Sequence, residues 1–254
     1  MIELENTEIV TRRRGIYLLP NLFTTTALFA GFYSIVAAMN SDFEKSSIAL
    51  FIAMIMDALD GRIARLTGTQ SDFGAQYDSL SDMVCFGVAP ALVVYSWGLQ
   101  YLGKFGWIAA FVYVAATGLR LARFNVQLEK QDKRFFIGLP CTSAAPVIAS
   151  MVWVGTDFAI PGKRISEVAA AMTIMMAILM VCNLRYHSFK EVDFKGKVPF
   201  VAVLIVVFFY SLIAWDPPKV LFSMSFIYAM SGPILWFKGK FIDKRIKTIA
   251  KTSA

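Results

Sequence analysis

Apolar runs of about 20 residues recur along the whole chain, and they limit its possible folds more than any other feature. A helix of that length crosses the ~30 Å hydrocarbon core of a bilayer and satisfies its own backbone polar groups. The runs predict spans near 16–39, 46–66, 77–101, 105–124, 141–155, 165–184, 198–215 and 220–237. Hydrophobic residues make up 57% of the 254 positions and charged residues 17%. With a mean hydropathy of +0.59, the class is an all-α polytopic membrane protein of about eight transmembrane helices and no separate soluble domain.

The basic residues predict an orientation. With the N-terminus in the cytoplasm, all Lys and Arg fall on that side except Lys45, Lys104, Lys163, Arg164 and Lys219. The cytoplasmic set includes Arg12, Arg13 and Arg14, then Arg120, Arg123, Lys130, Lys133 and Arg134, then Arg185, Lys190, Lys195 and Lys197, and the six in the tail. This is the bias that positive-inside insertion produces. An even number of spans keeps both termini in the cytoplasm. The net charge of +7 therefore reports topology and anionic headgroups, and no nucleic-acid partner is expected.

Four carboxylates break the apolar pattern: Asp57, Asp60, Asp78 and Asp82. An ionised side chain at the membrane centre costs roughly 2.5–3.5 kcal/mol on insertion scales, so such groups mark functional sites. Residues three and four apart share a helix face. Asp57, Asp60, Gly61, Ala64 and Arg65 thus lie along one helix, and Gly74, Asp78 and Asp82 along the next, with the polar break Thr67–Ser71 turning the chain between them. The expected arrangement is an antiparallel hairpin with its acids face to face at the cytoplasmic membrane edge. Hard cations such as Mg²⁺ take carboxylate oxygens together with substrate phosphates. Two such ions clamp the attacking and leaving oxygens of a displacement at phosphorus. Gly61 and Gly74 allow close approach, and Arg65 suits a phosphate oxygen.

The pattern D-x2-D-G-x2-A-R-x8-G-x3-D-x3-D, from Asp57 to Asp82, resembles the signature of the CDP-alcohol phosphotransferases at every fixed position. Further stretches resemble the bacterial integral-membrane phosphatidylserine synthases of that family. They are Leu19-Pro20-Asn21, Phe86-Gly87-Val-Ala-Pro90, Arg120-Leu-Ala-Arg123-Phe-Asn125 and Phe136-Ile-Gly138-Leu-Pro140. Cys85 and Cys141-Thr142 depart from that pattern, close to where a second substrate would sit.

The resemblance implies a six-helix catalytic core over 16–184, with two additional helices over 198–237 as scaffold, in one membrane domain spanning 1–254. It implies two divalent ions, Mg²⁺ or Mn²⁺, on Asp57, Asp60, Asp78 and Asp82, with Asp82 also the catalytic base. Gly61, Arg65 and Gly74, joined by Asn21 and Thr24, would bind the nucleotide. CDP-diacylglycerol and L-serine would be the substrates and CMP a product. The enzyme would be a homodimer in the bacterial cytoplasmic membrane, with its active site on the cytoplasmic face.

Arg120 and Arg123, with Asn125, are candidates for binding the acceptor or a phosphate; the competing reading is positive-inside anchoring by snorkelling side chains. Another acceptor, glycerol 3-phosphate or an inositol compound, remains open within the same family. A cation-coupled transporter is the alternative from another class, and it would call for a midplane site and repeat symmetry. The three cysteines have no metal-ligand spacing, and His187 is the single histidine, which leaves histidine chemistry without a second partner.

Overall fold

The computed structural model describes residues 14–127, 135–187 and 200–252. Helix α1 (Arg14–Met39) turns at Asn40–Asp42 into α2 (Phe43–Thr67), and the two helices share the most extensive contact among the described elements. Small buried residues permit this closeness: Ala27, Ala30, Ala37 and Ala38 on α1, and Ala49 and Ala53 on α2. The buried Ser34 and Ser46 hydroxyls pair at 3.0 Å, and Ser46 also donates to the Ser34 carbonyl at 2.9 Å. No polar group of that pair is left exposed to hydrocarbon.

Gly68 ends α2 in the left-handed conformation (φ 62°), its N–H donating to the Ala64 carbonyl. Ser71, in extended backbone, then caps α3 (Asp72–Asp82) by accepting the Gly74 N–H at 3.1 Å. This is the break expected at Thr67–Ser71, and its cause is local turn and cap chemistry. The helix does not stop at Asp82. It widens into a π-helical turn, Met83–Val88, and continues as α4 (Ala89–Trp97). Such a turn shifts the phase of the side chains that follow and often lies beside a functional site.

Helix α5 (Lys104–Gln127) packs on α7 (Ser166–Val181), while α6 (Cys141–Asp157) lies against α2, α4 and a C-terminal helix. The core runs through Phe86, Tyr113, Leu139, Val147, Ile148, Met176 and Met180, all fully buried. Two three-residue strands, β1 (Phe135–Ile137) and β2 (Arg185–His187), pair antiparallel with Phe136 opposite Tyr186; they are too short for periodicity to reveal. Helix α8 (Phe200–Trp215) touches α9 (Pro217–Thr252), and α9 packs on α6.

The architecture is that of an all-α, multi-pass membrane protein. Among the described residues, Leu19–Met39, Asp72–Trp97, Lys104–Val126 and Gly162–Val181 are long and apolar enough to cross a bilayer; Val206–Trp215 is apolar but shorter. The other expected spans do form helices, but α6 has only 17 residues and the last turns of α2 are charged, so length and composition do not by themselves give eight. Helix α9 continues to Thr252, where a basic tail was expected after residue 237. Arg12, Arg13, Lys130, Lys133, Arg134, Lys190, Lys195 and Lys197 lie outside the described residues.

The segment leading into α6 is tightly locked. Gly138 has φ 81° and donates to the Leu184 carbonyl at 2.8 Å; a Cβ there would stand 2.3 Å from the Met180 carbonyl oxygen. Gly138→Ala is expected to destabilise the fold by on the order of 2–4 kcal/mol, from left-handed strain plus a clash with backbone. Thermal unfolding in detergent measures this, and an unchanged midpoint would mean that the backbone relaxes without cost.

Candidate active site

Helical periodicity brings Asp57 and Asp60 to one face of α2, and the Gly68–Ser71 turn returns the chain so that α3 offers Asp78 and Asp82. One carboxylate oxygen each from Asp57, Asp60 and Asp78 lies within 4.8 Å of the others. Asp60 is buried, and its Oδ2 accepts the Thr24 hydroxyl at 2.7 Å. The Oδ1 atoms of Asp78 and Asp82 are both buried without a hydrogen-bond partner. Asp82 stands one turn beyond Asp78, within the field of Asp57, Asp78 and Asp60.

Such a cluster is costly as it stands. Two like charges at this separation repel by roughly 3 kcal/mol at an effective dielectric of 20. A buried carboxylate oxygen without a donor adds its own desolvation penalty. Both costs are relieved by a hard divalent cation, and the donor set, all carboxylate oxygen, is the kind that Mg²⁺ or Mn²⁺ takes. The residues present fit such an ion.

Two cavities meet at the acids. The smaller, about 380 Å³, is lined by Pro20, Asn21, Thr24, Thr69, Gln70, Ser71, Asp72, Gly74 and Ala75, with Asp60, Gly61, Ala64 and Asp78 on its remaining side. The larger, about 630 Å³, is lined by Asp57, Asp60, Gly61, Arg62, Arg65, Asp78 and Asp82, then by Arg120, Leu121, Phe124, Pro140, Cys141, Thr142, Ser143 and Tyr228, with Met54 and Ala58 completing it. Asp60, Gly61 and Asp78 line both and so stand between them, whereas Asp57 and Asp82 line the larger alone. A Cβ on Gly61 would meet nothing within 4 Å, so the space over that residue is open.

Of the residues singled out in the sequence, Asn21, Thr24, Gly61 and Gly74 border the smaller cavity, whereas Arg65 borders the larger. Arg65 is exposed and its Nε donates to the Gly61 carbonyl at 2.8 Å. Arg120 is buried on the larger cavity. Its Nε donates to the Leu139 carbonyl at 2.6 Å and its Nη1 to Cys141 Sγ at 3.6 Å. A guanidinium carries five N–H donors, so these two bonds leave donors for a ligand.

Arg123 and Asn125 line neither cavity. Arg123 Nη2 donates to Asn183 Oδ1 at 2.7 Å, beyond the end of α7, and Asn125 Nδ2 donates to Ser79 Oγ at 3.0 Å, tying α5 to α3. Cys141 and Thr142, placed near the second substrate from the sequence, line the larger cavity, whereas Cys85 lines neither. Ser143 and Tyr228 are lining residues the sequence did not reveal; Ser143 closely follows Gly138-Leu-Pro140 and could have been suspected, while Tyr228 stands in no motif.

A helical membrane protein with carboxylates gathered beside two cavities has the ligands for a divalent cation and space for two substrates. The chain belongs to the CDP-alcohol phosphatidyltransferase family, whose model matches residues 17–181. It is 35% identical over 221 residues to a CDP-diacylglycerol–serine O-phosphatidyltransferase of Helicobacter pylori, covering 87% of this chain and 92% of that one. An enzyme of the same description from Methanocaldococcus jannaschii is 32% identical over 190 residues, 75% of this chain and 83% of its own. An archaetidylserine synthase of Methanothermobacter thermautotrophicus is 34% identical over 172 residues, 66% of this chain and 69% of its own.

Proposed function

We propose that this protein transfers the phosphatidyl group of CDP-diacylglycerol to the hydroxyl of L-serine, giving phosphatidylserine and CMP. The observation that carries the proposal is the group of acids beside two cavities, in a chain whose relatives are named for serine as the acceptor. The nucleotide occupies the smaller cavity, against Asn21, Gly61 and Gly74, with Thr24 holding Asp60. The reacting phosphate and serine occupy the larger. Asp57, Asp60, Asp78 and Asp82 hold two divalent ions, Mg²⁺ or Mn²⁺, which when bound neutralise the diphosphate and stabilise charge at the leaving oxygen.

Asp82 accepts the serine hydroxyl proton as that oxygen forms its bond to the β-phosphorus, and the bond from this phosphorus to the bridging oxygen breaks to release CMP. A serine hydroxyl is a weak nucleophile at neutral pH, so a positioned base is needed. Arg65 meets a phosphate oxygen, and Arg120 binds the serine carboxylate by charge-assisted hydrogen bonds. Arg123 and Asn125 hold the helices that frame the acceptor side.

The proposal extends to eight spans, a six-helix core over 16–184 with two helices over 198–237, both termini and the site at the cytoplasmic face of the bacterial inner membrane, and a homodimer.

Purified protein is expected to release CMP only when CDP-diacylglycerol, serine and Mg²⁺ or Mn²⁺ are all present. CMP release with glycerol 3-phosphate or inositol, and none with serine, would overturn the serine assignment. Arg120→Lys should raise the serine KM by about tenfold, since an ammonium cannot reproduce a guanidinium fork. An unchanged serine KM would remove Arg120 from the acceptor site.

A further inference from the structure

Residue 228 belongs to neither the family-model match at 17–181 nor any sequence motif, yet its side chain lines the cavity that holds Asp82 and Arg120. It reaches there because α9 is fastened at this height. The fully buried Tyr186, on β2, donates its hydroxyl to the Ala229 carbonyl at 3.0 Å, and the two tyrosine rings lie 5.9 Å apart, tilted by 44°. On the next turn, a Cβ at Gly232 would come within 2.4 Å of the Tyr186 ring, so only glycine lets α9 approach so closely. Tyr228 and the buried Arg120 both line this cavity, so an aromatic ring with a polar tip shares with a buried cation the space that holds the acids.

We infer that Tyr228 is a specificity-determining residue for the acceptor: with Arg120 it binds the carboxylate of a small amino-acid alcohol, which makes the C-terminal helix part of the substrate site. The inference rests on the serine reading above. A carboxylate gains from a guanidinium and a phenolic O–H together, since each supplies a donor. Acceptors without a carboxylate forgo both bonds, and sites built to hydrogen-bond one group discriminate against ligands lacking it. A serine acceptor is thereby favoured over a simple alcohol of equal size.

The test measures CMP release by wild type, Tyr228→Phe and Tyr186→Phe with serine and with ethanolamine, which keeps the amine and hydroxyl but lacks the carboxylate. Tyr228→Phe keeps the ring and its packing. It should raise the serine KM about tenfold or more, the range for a hydrogen bond to a charged group, leave the CDP-diacylglycerol KM within about twofold, and narrow the preference for serine over ethanolamine. Tyr186→Phe should lower thermal stability without a selective rise in the serine KM. If wild type uses serine and Tyr228→Phe keeps the wild-type serine KM, the inference falls and the proposed function stands. An equal serine KM rise in Tyr186→Phe would also overturn it, by showing an effect of helix position alone. Wild type inactive with serine overturns both.

Discussion

Asp82→Asn protein, folded and inserted, is expected to release CMP at about a thousandth of the wild-type rate, within the 10²–10⁴ range for loss of a general base. The substitution preserves shape, removes the ability to accept the serine proton and leaves an amide oxygen as a weaker cation ligand. Asp82 lies outside the tight group formed by Asp57, Asp60 and Asp78, although it shares their cavity. The variant should therefore keep most of its affinity for CDP-diacylglycerol, and the loss should appear in kcat. Near-normal turnover by Asp82→Asn would dispose of the base role and leave the residue as a cation ligand only.

The second large effect concerns the cluster itself and has opposite signs with and without cation. Asp78→Asn should abolish detectable CMP release and weaken Mn²⁺ binding by about 100-fold or more, because one of three oxygens gathered within 4.8 Å is lost as a charged ligand. In chelator-treated protein the same substitution should raise thermal stability. It removes a repulsion of roughly 3 kcal/mol per neighbouring charge and leaves a neutral side chain at a half-buried position. Wild type should gain stability on adding Mn²⁺, as any ligand that binds only the folded state produces. Melting curves with EDTA and with Mn²⁺ measure both signs. A metal-free Asp78→Asn protein less stable than wild type would mean that the acids are not repelling one another and that the electrostatic account of the site is wrong.

The two effects separate base from ligand. Asp82→Asn should slow chemistry with a smaller loss of cation binding, since Asp82 stands apart from the three clustered acids, whereas Asp78→Asn should lose both together. Thr24 adds a milder control: its hydroxyl donates to Asp60 Oδ2, so Thr24→Val disturbs the aim of one ligand without altering the charge of the cluster.

Much of the fold and of this site could be read before any coordinates. Apolar run length announced membrane helices because hydrocarbon forbids unsatisfied backbone. The spacing of Asp57, Asp60, Asp78 and Asp82 announced a shared site because helix periodicity and a Gly-containing break are local properties of the chain. Gly68 and Ser71 end one helix and start the next through bonds reaching no more than four residues away.

Other features depended on groups far apart in sequence. Arg120, Arg123 and Asn125 look alike in a motif, yet only Arg120 faces a cavity, since a few residues along a helix turn a side chain towards different neighbours. The π-helical turn after Asp82 is stabilised by packing against α1 and α5, where Gly31 and Thr117 press on Cys85 and Gly87. Sequence alone determined that this chain is a bundle of membrane helices with acids gathered at one end. Tertiary structure decided which side chains share a cavity with those acids, and it brought in Tyr228 from a helix without a motif, because the contact of Tyr186 with Ala229 and Gly232 sets the seat of α9 and no local rule encodes it.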